Sequence, residues 1–147
     1  MKKLTDEEKY EPKRIMRQNI LYVVVLVAIV TAISLWRGTA SAKVSPTKDG
    51  LTLSGHNGAV TLLYADMTDI QFFEAPDYGS PMNGATLRNW RYGTWESEEL
   101  GTYDAYCSEK ISSCILFITP DGRYAFNFEN DENTKSLYDS IIEAWKK

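Results

Sequence analysis

A chain of 147 residues with 16 basic and 20 acidic side chains has room for one folded domain plus appendages, and its net charge of −4 is unevenly spread. Six basic residues precede residue 20 against four acidic ones, whereas from Arg37 onward 10 basic residues stand against 16 acidic ones, a net of −6. A domain this acidic is repelled by phosphate backbones and anionic lipid surfaces, so nucleic-acid binding is not expected, and the excess acid reads as solubility.

Residues 1–19 form a charged leading segment. Ile20 to Trp36 then runs without a charge through Val, Leu, Ile and Ala. As a helix rising ~1.5 Å per residue it is about 25 Å long, close to a ~30 Å hydrocarbon core, with Tyr22 and Trp36 near the two interfaces. A single transmembrane helix over 20–36 is the expectation. Lys13, Arg14 and Arg17 crowd its N-terminal boundary, against Arg37 and Lys43 beyond the other end. That bias sets the N-terminus in the cytoplasm and the rest of the chain outside the cell membrane. Ala40-Ser41-Ala42 has the small-x-small form of a cleavage site, so a signal peptide releasing a secreted domain is the alternative reading. The long leading segment, with four acidic residues, favours an uncleaved anchor.

Residues 37–48, rich in small and polar side chains, read as a tether. From 49 to 147 short apolar or alternating runs are separated by turn residues, the pattern of a mainly β domain. Strands are predicted over Leu51–Ser54, Ala59–Tyr64 and Asp69–Phe73, then a loop holding Pro76, Asp77, Gly79, Pro81, Asn83 and Gly84. Further strands follow at Thr86–Trp90, Gly93–Ser97, Thr102–Cys107, Cys114–Thr119 and Arg123–Phe128, the last two joined by Pro120-Asp121-Gly122. A C-terminal helix is capped by Asp131 or Asn133 and carries Leu137, Ile141, Ile142 and Trp145 on one face. One apolar helical stripe after a run of strands suits the open end of a small barrel or sandwich.

Tyr78-Gly79-Ser80-Pro81-Met82-Asn83-Gly84, then Gly93-Thr94-Trp95, then Gly101-Thr102-Tyr103-x-x-Tyr106, resembles the bacterial pleckstrin-homology (PH) domain families of small membrane-anchored proteins. The resemblance covers roughly Ser45 to Trp145 and implies a PH-like, seven-stranded bent barrel or sandwich capped by an α-helix. It implies no biochemical activity. Phosphoinositide binding is not expected, because the first hairpin, residues 51–63, has none of the basic residues that grip phosphates in the eukaryotic pattern.

Few residues suggest chemistry. Cys107 and Cys114 are the two cysteines, and export would make a disulfide across two antiparallel strands the expectation; two separate thiols are the alternative. His56 lies alone in a Gly-His-Asn-Gly turn, which leaves no histidine metal cluster and no evident triad. Glu96, Glu98 and Glu99 read as a solvated strand edge rather than paired catalytic carboxylates. Asp77, Asp121, Asn130, Asp131 and Glu132 follow no calcium-loop spacing and read as turn and cap residues. Arg88, Trp90, Arg91, Tyr92 and Trp95 form an aromatic–basic cluster, either a stacking surface for a peptide or sugar or alternating core and face residues. The expectation is a non-enzymatic, membrane-tethered PH-like module without catalytic residues, cofactor or metal, which recognises a protein partner or senses a ligand. A small exported enzyme or enzyme accessory factor is the alternative.

Overall fold

The computed structural model describes residues 20–31 and 41–147, and the chain divides into two compact units, Met1–Gly38 and Thr39–Lys147. In the first unit residues 20–31 form a helix, α1, whose apolar side chains are all exposed. Thr31 Oγ1 donates to the Val27 carbonyl one turn back at 2.8 Å. Among the described residues no helix is long and apolar enough to cross a membrane. The predicted span continues over 32–36, which lie outside the described residues.

The second unit is mainly β with a C-terminal helix, as expected, but it differs from a seven-stranded barrel. Among the described residues nine strands form two open sheets, an arrangement consistent with a β-sandwich. The smaller sheet is an antiparallel meander of β1 (Lys43–Pro46), β2 (Gly50–Gly55) and β3 (Gly58–Leu63), followed by a single 3-10 turn at Tyr64–Asp66. β1 falls inside the stretch read as a tether. Four residues ending in proline give no sequence signal, yet they pair with β2 from Lys43↔Ser54 to Pro46↔Leu51.

The larger sheet takes β4 (Asp69–Phe73), β5 (Ser80–Leu87), β6 (Trp90–Ser97), β7 (Gly101–Ser108), β8 (Cys114–Thr119) and β9 (Gly122–Phe126) in the order β4-β8-β9-β7-β6-β5. Pro81 and Asn83-Gly84, read as loop, lie within β5. Proline is tolerated there because β5 is an outer strand, and a register shift between Pro81 and Asn83 absorbs Met82 as a bulge. The hairpin turns at Arg88 and Asn89, both with positive φ (51° and 67°), the geometry of a two-residue turn matched to strand twist.

β9 enters between β7 and β8, antiparallel to β8 and parallel to β7 in the register Asp104↔Tyr124 to Tyr106↔Phe126. The five-residue link 109–113 therefore steps over a strand. A fully buried amide holds this crossing: Asn127 Oδ1 accepts from Ser108 N at 2.8 Å, and its Nδ2 donates to the carbonyls of Ser108 (3.1 Å) and Ile111 (3.3 Å).

The larger sheet is buried on both faces, and its strand alternation sorts the core. Tyr106, Ile115, Phe117 and Phe126 join Leu51, Leu53 and Leu62 of the small sheet and Ile141 of the C-terminal helix, α2 (Asp131–Trp145). Their neighbours Ala105, Cys107, Cys114, Leu116 and Ala125 pack on the other face with Trp95, Leu100 and Tyr103. Every second residue thus enters a different apolar cluster, as the period of two requires. Asn130, rather than Asp131 or Asn133, caps α2: its side chain accepts from Asn133 N at 2.7 Å.

Candidate binding surface

The pleat of β6 divides the aromatic–basic cluster. Arg88 lies exposed in the β5–β6 turn, outside the strand. Arg91 and Trp95 share one side of β6, and Trp90 and Tyr92 share the other. The five residues do not form one stacking surface.

On the first side Trp95 is core, 6% exposed, with its indole N–H donating to the Tyr92 carbonyl at 3.0 Å. The Arg91 guanidinium lies 3.9 Å from the centroid of the Tyr78 ring and 5.8 Å from that of Trp95, and its Nη1 is buried without a hydrogen-bond partner. The Tyr78 hydroxyl donates to the Ser112 carbonyl at 2.8 Å, and the Tyr103 hydroxyl donates to the Tyr78 carbonyl at 2.7 Å. Tyr78 thereby holds the 109–113 link against the sheet. Burial, with the Cys107 and Cys114 thiols beside it, pushes the Tyr78 hydroxyl far above the ordinary phenol range; burial does the same to Tyr103.

Cys107 and Cys114 are free, buried thiols of the same apolar cluster. β9 separates β7 from β8, yet the two thiols lie within hydrogen-bonding reach of each other. Burial first, and then the Cys114 thiol, raises Cys107 well above the ordinary thiol range. Burial that holds this thiol neutral makes it a poor nucleophile.

On the second side of β6, the Tyr92 ring meets His56 edge-on, with centroids 4.3 Å apart. Asn57, next in that turn, donates its Nδ2 to the Ala105 carbonyl at 3.0 Å and accepts from Gly93 N, so the β2–β3 tip is fastened to β6 and β7. Trp90 is half-buried opposite Ser108 in the β6–β7 register. It forms one wall of a groove of about 290 Å³ shared with Lys110, Ile111, Glu129, Asn130 and Asp131. Glu129 has φ +51°, a left-handed conformation that costs a non-glycine residue about 1 kcal/mol or more. Its Oε2 accepts from Asn133 Nδ2 at 2.8 Å. Asp131 Oδ1 accepts from both the backbone N–H (2.7 Å) and the hydroxyl (2.6 Å) of Ser113, and these bonds hold its carboxyl below the ordinary range.

The groove therefore offers an indole face and an isoleucine beside two carboxylates and one ammonium. Sequence reasoning found Trp90 but not its companions. Glu129 to Asp131 lie about forty residues away, and only the insertion of β9 beside β7 delivers them to Trp90. The other acids are placed elsewhere: Glu99 accepts from Asp77 N at 2.9 Å, while Glu96 and Glu98 are exposed on β6 and its following turn. Among the described residues no three His, Cys, Asp or Glu side chains gather as a metal site. Comparison with family models, curated proteins and solved structures finds no match.

Proposed function

We propose that this chain is a non-enzymatic, membrane-tethered binding module whose β domain recognises a protein partner through the groove beside Trp90. The observation that carries the reading is the meeting of a half-buried indole with the strained Glu129 backbone in a concave, mixed-polarity site. Strained backbone concentrates at functional sites, and an aromatic face next to carboxylates suits a Lys or Arg side chain on an extended partner segment. The tether belongs to the same proposal and rests on the uncharged run 20–36 and its basic N-terminal flank, which set the domain outside the membrane. The PH-like resemblance has in its support a series of strands followed by one helix; nine strands, open sheets and the parallel β7–β9 pair stand against it.

Two experiments test the proposal. The full chain should stay in the membrane pellet through alkaline carbonate extraction, and its release would sink the tether. A benzophenone amino acid at exposed Lys110, activated in native membranes, should give a discrete protein adduct that Trp90→Ala abolishes. Absence of an adduct, or one indifferent to Trp90, would remove the groove as the recognition site.

A further inference from the structure

The larger sheet has two outer strands, and they are treated differently. β4 contains Asp69 and has α2 against it, with the Phe72 and Tyr138 ring centroids 5.5 Å apart. β5 has no such cover. Ser80–Leu87 contains no charged residue, Ser80 to Asn83 and Thr86 are exposed, and β6 is its sole strand neighbour. An outer strand turns alternate N–H and C=O groups outward, and charge, proline or a bulge normally blunts such an edge. Pro81 and the Met82 bulge interrupt the first part of β5, leaving Asn83–Leu87 uninterrupted.

The geometry points to β5 as the self-pairing edge of a symmetric dimer, joined antiparallel to β5 of a second copy around a two-fold axis near Asn83–Gly84. Charge selects this occupant. A domain of net −6 repels its own copies except along an uncharged strip, and the two ends of this strip carry opposite charge. At its N-terminal end lie exposed Asp77 and Glu96, the latter opposite Ser80 in the register. At its C-terminal end lie exposed Arg88 and Lys110 against one exposed carboxylate, Glu109, which accepts from the Thr86 hydroxyl at 3.2 Å, a net of +1. Antiparallel self-pairing brings Arg88 of each copy to the acidic end of the other, a self-complementary pattern that closes on two copies. β3 is also uncharged, but His56–Asn57 and Asp66 at its ends supply no such pair, and β1 contains Lys43 and Pro46. One strand pair is a small interface, so the dimer is weak, in the micromolar range.

The test is sedimentation equilibrium of the full chain in density-matched detergent, up to roughly 100 µM, a concentration that populates a micromolar dimer. The expected result is reversible dimerisation. Asn83→Lys, which places like charges side by side at the axis, should raise the dissociation constant about tenfold, and Arg88→Glu should weaken the dimer too. A wild-type chain that stays monomeric overturns the self-pairing and leaves the edge to a foreign extended peptide. A dimer indifferent to Asn83→Lys is held elsewhere and also overturns it. Mild oxidation of single-cysteine additions gives a reading independent of the lysine variant's folding. Asn83→Cys, beside the axis, should yield covalent dimers and Thr61→Cys, on β3, should not; equal yields would reject β5 as the contact.

Discussion

The Arg91 guanidinium stacks on the Tyr78 ring at 3.9 Å, yet its Nη1 is buried with nothing to bond. The two residues combine a favourable contact with an unmet donor. A cation over a ring contributes roughly 0.5–2 kcal/mol, whereas an unsatisfied buried donor costs about 1–3 kcal/mol. Arg91→Met keeps the length and the apolar stack while removing the orphan. It should leave stability within about 1 kcal/mol of the parent, or raise it. Tyr78→Phe keeps the ring but loses the hydroxyl's bond to the exposed Ser112 carbonyl, and should lower stability by about 0.5–1.5 kcal/mol. Denaturant unfolding of the full chain in detergent ranks the two. If Arg91→Met proved the more damaging, the guanidinium would be satisfied by a group this geometry does not show.

Burial governs the two thiols more than their spacing does. Cys107 and Cys114 have no exposed surface, so an aqueous maleimide should leave the folded chain unlabelled and modify both after unfolding. Labelling of the native chain at the rate of a free peptide thiol would show that this face of the sheet opens. Topology is then better mapped with a cysteine introduced at an exposed site.

The same burial sets an alkaline limit. Cys107 in the folded chain titrates well above 9.0, and Tyr78 and Tyr103 above 10.0, mainly through desolvation. When the folded group holds its proton more tightly, its contribution is whole below the unfolded pKa. It is lost as pH rises toward the folded pKa, because the unfolded chain ionises first. Stability should therefore be flat across neutral pH and fall from about pH 9 upward, by an amount of order 1 kcal/mol per pH unit for Cys107 alone. Unfolding midpoints between pH 7 and 10.5 check the slope, and Cys107→Ala should shallow it. An unchanged slope in that variant would assign the loss to the tyrosines.

What the sequence made legible follows from how local each signal was. β4 and β8 emerge at the predicted residues, because five or six apolar or alternating positions bounded by turns define a strand without help. β5 was hidden by Pro81 and Asn83-Gly84, which announce a loop unless the strand is known to be an outer one, and that is a property of the sheet. The Arg88–Trp95 stretch reads as aromatic and basic, but one expected strand, Thr86–Trp90, runs through the turn at Arg88–Asn89. The alternation of core and face residues was legible as one of two readings, without the turn that fixes which residue takes which side. The disulfide expectation took β7 and β8 for neighbouring strands; β9 lies between them, yet the Cys107 and Cys114 side chains still meet, as free thiols. Glu129 gave no warning at all, since nothing in its type announces a positive φ.

Two glycines with similar backbone angles separate conformational strain from crowding. Gly58 has φ +89° and open space where a Cβ would stand, whereas Gly93 has φ +77° and a Cβ there would fall on the Asn83 carbonyl oxygen and the Gly84 backbone. Gly58→Ala should cost about 1 kcal/mol, the strain of the left-handed region alone. Gly93→Ala should exceed it by at least about 1–2 kcal/mol, because β5 and β6 must separate to admit the methyl group. Equal losses for the two would mean that the β5–β6 ribbon yields freely, which would weaken β5 as a rigid edge.

The crossing at Asn127 is the most concentrated polar dependence in the domain. One buried amide serves the N–H and C=O of Ser108 and the C=O of Ile111, at the point where β9 ends and the 109–113 link passes over it. Asn127→Ala removes three hydrogen bonds, leaving the Ser108 N–H and the Ile111 carbonyl without these partners and the Ser108 carbonyl with only a long bond from Ile111 N (3.5 Å). A loss of roughly 3 kcal/mol or more is expected, large against a typical domain stability of about 5–15 kcal/mol. Asn127→Asp retains an acceptor for Ser108 N but buries a charge facing two carbonyls, and should be at least as damaging. Because Ser108 and Ile111 line the Trp90 groove, Asn127→Ala should also speed amide exchange in residues 108–113 beyond the global change. Exchange that rose only in proportion to global stability would show the link to be held by Tyr78 and Asp131, through Ser112 and Ser113, rather than by Asn127.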